Sequence, residues 1–160
     1  MGTRGISIFK DDDGKEIAVL YRQMDAYPSV HGKDLYDYLK NAVLTNGIGR
    51  DRKAFNGMSD LAVRTIVHLK KQRIIESRKT NEALKKINLG REVSDDEAGQ
   101  YYLYPAGTRD VGEEYVYELF VKEDKLCLKV SNCYKNGNVL YEGLMNKFDP
   151  EQCGKEDYEA

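Results

Sequence analysis

In the middle of this chain the apolar residues fall at helical spacing, and on both sides of that block they fall at strand spacing. Leu35, Leu39 and Val43, with Tyr36 and Ala42 beside them, predict a helix over residues 33–45. Ser59 is placed to cap a second helix running to about Ile75, with Ala62, Val63, Ile66, Val67 and Leu69 on its buried side. A shorter third helix is expected from Thr80 to Gly90. Before the block, Ile6 and Ile8, then Ile17 and Val19, sit on two alternating runs joined by an Asp-Gly turn at residues 11–15. After it, residues 101–104, 114–121, 125–134 and 139–144 are aromatic and β-branched runs separated by turns, with Asn136-Gly137 the strongest hairpin signal. Strands, then helices, then strands imply an α+β fold. The N-terminal hairpin is expected to share an antiparallel sheet with a C-terminal meander, with the helices on one face.

A length of 160 residues suits a single domain, expected over residues 1–148, and the acidic residues 149–160 read as a flexible tail. No apolar run is long enough for a transmembrane helix, and charge at Arg4 and from Lys10 onward interrupts any signal-peptide core. The reading is therefore cytoplasmic, with no membrane partner. Cys127, Cys133 and Cys153 match no metal or redox spacing, and Asp11-Asp12-Asp13 lacks the spaced ligands and distal glutamate of an EF-hand. Neither a metal nor a cofactor is expected.

The net charge of -2 hides an asymmetry. Residues 50–91 carry twelve basic against four acidic residues, while residues 92–160 carry seven against sixteen. The basic segment can face a partner or the acidic half of its own chain. Overall acidity weighs against nucleic acid as that partner and leaves a host protein as the alternative.

Residues 21–32 gather the side chains that ligand recognition uses. Tyr21, Arg22, Gln23, Asp25, Tyr27 and His31 lie on one short connection closed by Pro28 and Gly32. Asp25 can hold a turn through backbone N–H groups, or it can line a polar pocket with Gln23, Tyr27 and His31. Gly-Thr-Arg occurs twice, at residues 2–4 and 107–109. Arg4 and Arg109, with Thr3 and Thr108 beside them, can clamp an anion, or each arginine can serve an acidic neighbour such as Asp110 or Glu113.

Several stretches together carry a resemblance. The chain opens Met1-Gly2-Thr3-Arg4-Gly5, and Gln23-x-Asp25-x-Tyr27-Pro28 follows the hairpin. Phe55-Asn56-Gly57-Met58 precedes the second expected helix, and residues 102–110 with 112–115 lead into the meander. This pattern resembles an uncharacterised family of bacteriophage and bacterial proteins that begin with the same pentapeptide. Members often have Gly-x-Gly where this chain has Val30-His31-Gly32, which marks His31 as a local substitution. The resemblance implies a phage-type accessory protein and supplies no activity.

The expectation from sequence is a binding protein for an anionic, polar small molecule, a nucleotide being the first choice, bound without turnover. Thr3, Arg4, Gln23, Asp25, Tyr27, His31, Tyr104 and Arg109 form the expected site, with the arginines on the anion and a tyrosine on a ring. The catalytic alternative is a hydrolase or transferase with Asp25 as acid or base, paired with Glu113 or Glu114. An N-terminal-nucleophile mechanism is disfavoured, because loss of Met1 exposes Gly2. A third alternative is a protein-interaction module using the basic face of residues 50–91. A homo-oligomer is left open.

Overall fold

The computed structural model describes residues 2–87, 90–133 and 137–155. Strands β1 (Gly5–Lys10) and β2 (Glu16–Arg22) form the expected hairpin. A π-helical turn, Pro28–Gly32, leads directly into helix α1 (Lys33–Leu39). Two short strands, β3 (Val43–Thr45) and β4 (Ala54–Asn56), pair in parallel before helix α2 (Gly57–Lys86). Strands β5 (Tyr101–Pro105), β6 (Tyr115–Lys122), β7 (Lys125–Asn132) and β8 (Val139–Leu144) follow, then a 3-10 turn at Met145–Lys147.

The six long strands form one mostly antiparallel sheet in the order β5-β2-β1-β6-β7-β8. The fold is α+β. The hairpin and the C-terminal strands share the sheet, as the pattern of the chain ends implies, but only β6, β7 and β8 form a meander. β5 crosses to the far edge and pairs with β2, and β1 lies parallel to β6. Pro105 explains the edge position in part, because a residue without an N–H is tolerated on an edge strand. The 106–114 connection then returns along the sheet, from Pro105 opposite Ala18 to Tyr115 opposite Gly5.

Strand alternation gives the sheet two unlike faces. Phe9, Leu20, Tyr115, Tyr117, Leu119, Leu128 and Val130 point to the helix side, where Leu35 and Leu39 of α1 and Met58, Leu61 and Leu69 of α2 complete the main core. Ile6, Ile8, Val19 and Tyr21 point outward and form a smaller cluster with Tyr104, Val111 and Val116. Val111 brings the 106–114 connection down over that cluster. Beyond it the outer face is polar, with Glu118 between Lys10 at 3.0 Å and Lys129 at 3.9 Å.

The helices differ from expectation in two ways. The first stops at Leu39, and Val43, the supposed third turn of its stripe, is exposed on β3 and donates its N–H to the Lys53 carbonyl. β-branched Val43 and Thr45 suit the strand better than the helix. The second and third expected helices are one thirty-residue element, since no Gly or Pro interrupts residues 58–86. Thr80 starts nothing; its hydroxyl donates to the Glu76 carbonyl at 3.2 Å inside the helix. The true start is Gly57, at φ 73°, with the Asn56 N–H held by the Asp60 carboxylate at 2.9 Å. Of the expected tail, Asp149–Lys155 form turns and Cys153 packs on the core; the rest lies outside the described residues, as does the Asn136 half of the Asn-Gly turn.

Candidate functional site

The sheet divides the expected site between its two faces. On the helix side, strand alternation turns Arg22 inward after Leu20, where it is 2% exposed. Its Nε donates to the Met24 carbonyl at 2.7 Å, and one Nη reaches His31 Nδ1 at 3.0 Å and Asp34 Oδ2 at 3.1 Å. Arg73, from α2, donates to the same Asp34 oxygen at 3.0 Å and to Glu76 at 2.9 Å. His31 Nε2 lies 2.7 Å from Ser7 Oγ, and its ring stands edge-on to Tyr117 at 4.8 Å between centroids.

The charge pattern fixes the state of this histidine. Guanidinium only donates, so Nδ1 must accept and the single proton sits on Nε2, directed at Ser7. Burial, followed by the neighbouring Arg22 and Arg73 charges, holds the His31 pKa well below its ordinary value. A serine–histidine pair suggests a hydrolase, but a catalytic histidine has a carboxylate on its second nitrogen to stabilise the imidazolium. Here a cation occupies that place, and Ser7 and His31 are each 1% exposed. This cluster braces the fold. It does not activate a nucleophile.

His31 and Tyr27 both belong to this inner side. Tyr27 packs toward Tyr115, centroids 6.3 Å apart, and its carbonyl receives the Val30, His31 and Gly32 N–H groups. Asp25 sits exposed at the loop tip, with φ 57°, a left-handed conformation that Asp tolerates. Its carboxylate makes no hydrogen bond among the described residues. Glu113 and Glu114, the partners considered for it, are spent on backbone N–H groups: Glu113 on those of Asp110 and Val111 at 2.9 and 2.8 Å, Glu114 on that of Arg4 at 3.1 Å.

The remaining expected residues lie on the outer face. Arg4 precedes the outward Ile6 by two positions, and its guanidinium abuts Gly112 and acts electrostatically on the Tyr21 hydroxyl. Tyr21 donates to Gln23 Oε1 at 2.7 Å and touches two more tyrosine rings, Tyr102 at 5.6 Å and Tyr104 at 6.1 Å. Thr3 ties the patch to the loop, its carbonyl accepting the Ala26 N–H at 3.0 Å. Arg109 does not join them. It is clamped by both oxygens of Glu16, with the Gly107 N–H adding a third bond to that carboxylate at 2.6 Å. Glu16 pairs with Lys10, six positions along β1 from Arg4, and Arg109 is committed there. The two Gly-Thr-Arg copies therefore form no common clamp.

Comparisons with protein-family models, curated proteins and solved structures give no match. Function is argued from geometry alone.

Arg4 stands apart from the other buried or half-buried arginines. Arg22 and Arg73 share Asp34, Arg109 has Glu16, and Arg64 stacks on Phe55 at 4.0 Å and donates to the Ala54 carbonyl at 2.8 Å. Among the described residues no carboxylate lies within ion-pair distance of the Arg4 guanidinium, and its Nε is buried without a hydrogen-bond partner. Half of the basic segment is paired within the chain. Arg78 pairs with Asp95 at 2.6 Å and Lys85 with Glu92 at 2.9 Å, while Lys70 donates to the Asp96 and Ala98 carbonyls.

Tyr102, Ser7, Arg22, Asp34 and Arg73 were outside the sequence-based site. Arg22 carried a readable signal: a charged residue two positions after an inward Leu20 on an alternating strand needs a buried counter-ion. Nothing in the sequence identified Asp34 and Arg73 as its company.

Proposed function

We propose that the chain is a small binding protein that captures a polar, anionic small molecule on the outer face of its sheet and releases it unchanged. The observation that supports this reading is the Arg4 guanidinium, held half-buried against Gly112 with no carboxylate within ion-pair distance among the described residues. A charge in that position is costly unless something pairs with it, and a ligand carboxylate or phosphate is the partner whose geometry a guanidinium matches. Tyr21, Tyr102 and Tyr104 supply ring surface beside it, and Gln23 supplies an amide. The cytosolic setting, in a phage-infected or phage-carrying bacterium, belongs to the same proposal. No helix among the described residues is long and apolar enough to cross a membrane.

Catalysis by Asp25 is the weaker reading, since that carboxylate is exposed and has no hydrogen-bonded partner among the described residues to hold or relay a proton. The test is to incubate the protein with a bacterial metabolite extract and analyse bound and released species by mass spectrometry. An unchanged small molecule retained by the wild type and lost in Arg4→Ala is expected. A chemically altered product, or retention unaffected by Arg4→Ala, would overturn the proposal.

A further inference from the structure

Resting on that binding reading, we infer that the outer-face site takes a ring-bearing ligand with one negative charge and rejects polyphosphates. The site has charge capacity for one anionic group. Arg4 is its only uncommitted cation among the described residues, because Arg109, the second arginine of the repeated motif, is neutralised by Glu16. The connection beside Arg4 carries Asp110, Glu113 and Glu114. Glu113 and Glu114 are held beside an incoming anion by the hydrogen bonds they accept from the Asp110, Val111 and Arg4 N–H groups. A di- or triphosphate would place its further charges against this acidic wall, with neither a second arginine nor a helix N-terminus among the described residues beside Arg4 to receive them.

The uncharged part of the ligand is described by the tyrosines. Tyr102 is 48% exposed on the edge strand and packs beside Tyr21, so its free face is open to a planar ring. The Tyr21 hydroxyl occupies Gln23 Oε1, which leaves the Gln23 amide nitrogen, without a partner among the described residues, as a donor for an acceptor on the ligand. The shared chemistry is one carboxylate or phosphodiester attached to a flat ring with an acceptor on it.

Calorimetric titration of the intact chain with adenosine, adenosine 3′,5′-cyclic phosphate and ATP varies charge on a constant ring, and 4-hydroxyphenylacetate adds the carboxylate case. One of the two monoanions should bind at least about tenfold tighter than both adenosine and ATP, the scale of one charge-assisted hydrogen bond. Arg4→Ala should erase that preference, Arg4→Lys should restore part of it, and Tyr102→Ala should weaken the ring-bearing monoanion several-fold without disturbing the fold. Affinity that rises from the cyclic phosphate to ATP and depends on Arg4 would overturn the single-charge inference and leave the binding reading intact. Affinity for these compounds that ignores Arg4 would overturn both. Failure of both monoanions to bind at millimolar concentration, with an Arg4-dependent compound still recovered from extract, would overturn the inference alone.

Discussion

The buried state of His31 makes acid stability a sharp test of the inner cluster. In the unfolded chain a histidine titrates near its ordinary value of about 6.5. In the folded chain, burial and the Arg22 and Arg73 charges keep the ring neutral well below that. The unfolded state therefore binds a proton first, so the stability tied to His31 is complete above the unfolded value and is lost as pH falls beneath it. While the folded ring stays neutral, the loss between pH 7 and pH 5 is about 2 kcal/mol, or a fall in Tm of roughly 4–8 °C for a domain of this size. Urea unfolding at half-unit pH steps reads this directly. The control is His31→Gln, whose amide can accept from Arg22 and donate to Ser7 without titrating. Whatever its effect on stability at a single pH, its pH 7 to pH 5 slope should be shallower by about that amount. Carboxylates with depressed values, Glu16 held by Arg109 and Glu97 brought to about 2 by Arg91, lose their pairing mostly at lower pH and are common to both chains. His68, also lowered by partial burial, is common to both as well. Equal slopes in wild type and His31→Gln would refute the assignment of a neutral, Nε2-protonated ring.

Arg22→Met should cost about 2–5 kcal/mol by urea unfolding, since it leaves His31 Nδ1 and the Met24 carbonyl without their buried donor and Asp34 with Arg73 alone; a loss under 1 kcal/mol would show that water replaces the guanidinium freely. Gly99→Ala should destabilise by more than about 1 kcal/mol, because φ is 88° and the new Cβ would stand 2.5 Å from Arg73 Cγ; an unchanged Tm would contradict that packing. Glu16→Gln, by contrast, should cost no more than about 1 kcal/mol, since the Arg109 pair is partly exposed, and it should leave ligand retention at Arg4 unaltered.

The fold class was legible because periodicity reports which face of an element meets a core, and both chain ends alternate cleanly. Strand partners were not legible. Nothing local to residues 101–105 tells them to join β2 and not β6, since that choice depends on the 106–114 connection finding the outer cluster through Val111. Val43 shows the same limit at smaller scale: its spacing from Leu35 and Leu39 is helical, but the chain has already turned at Ala42, whose N–H bonds the Leu39 carbonyl. In the expected site, sequence proximity was mistaken for a shared surface. Tyr27 and His31 follow Gln23 within eight positions but lie behind the sheet from it.

That separation gives the molecule its internal logic. Tyr21, Arg22 and Gln23 alternate outward, inward and outward, so one short run of β2 belongs to both faces. Arg22 holds the Met24 carbonyl from inside, the Tyr117 hydroxyl holds the Ala26 carbonyl at 2.6 Å, and Gly2 packs against Met24. The loop bearing Gln23 and Asp25 is therefore anchored by the same side chains that bury His31 and Asp34. A recognition surface works best when the groups behind it fix its geometry before the ligand arrives. On this account the arginine–histidine cluster contributes to binding without touching the ligand. Its weakening by Arg22→Met should raise the dissociation constant at the Arg4 site even under conditions where the variant is fully folded. Calorimetry with the compound retained from extract would measure this, and an unchanged affinity in folded Arg22→Met would show that the two faces act independently.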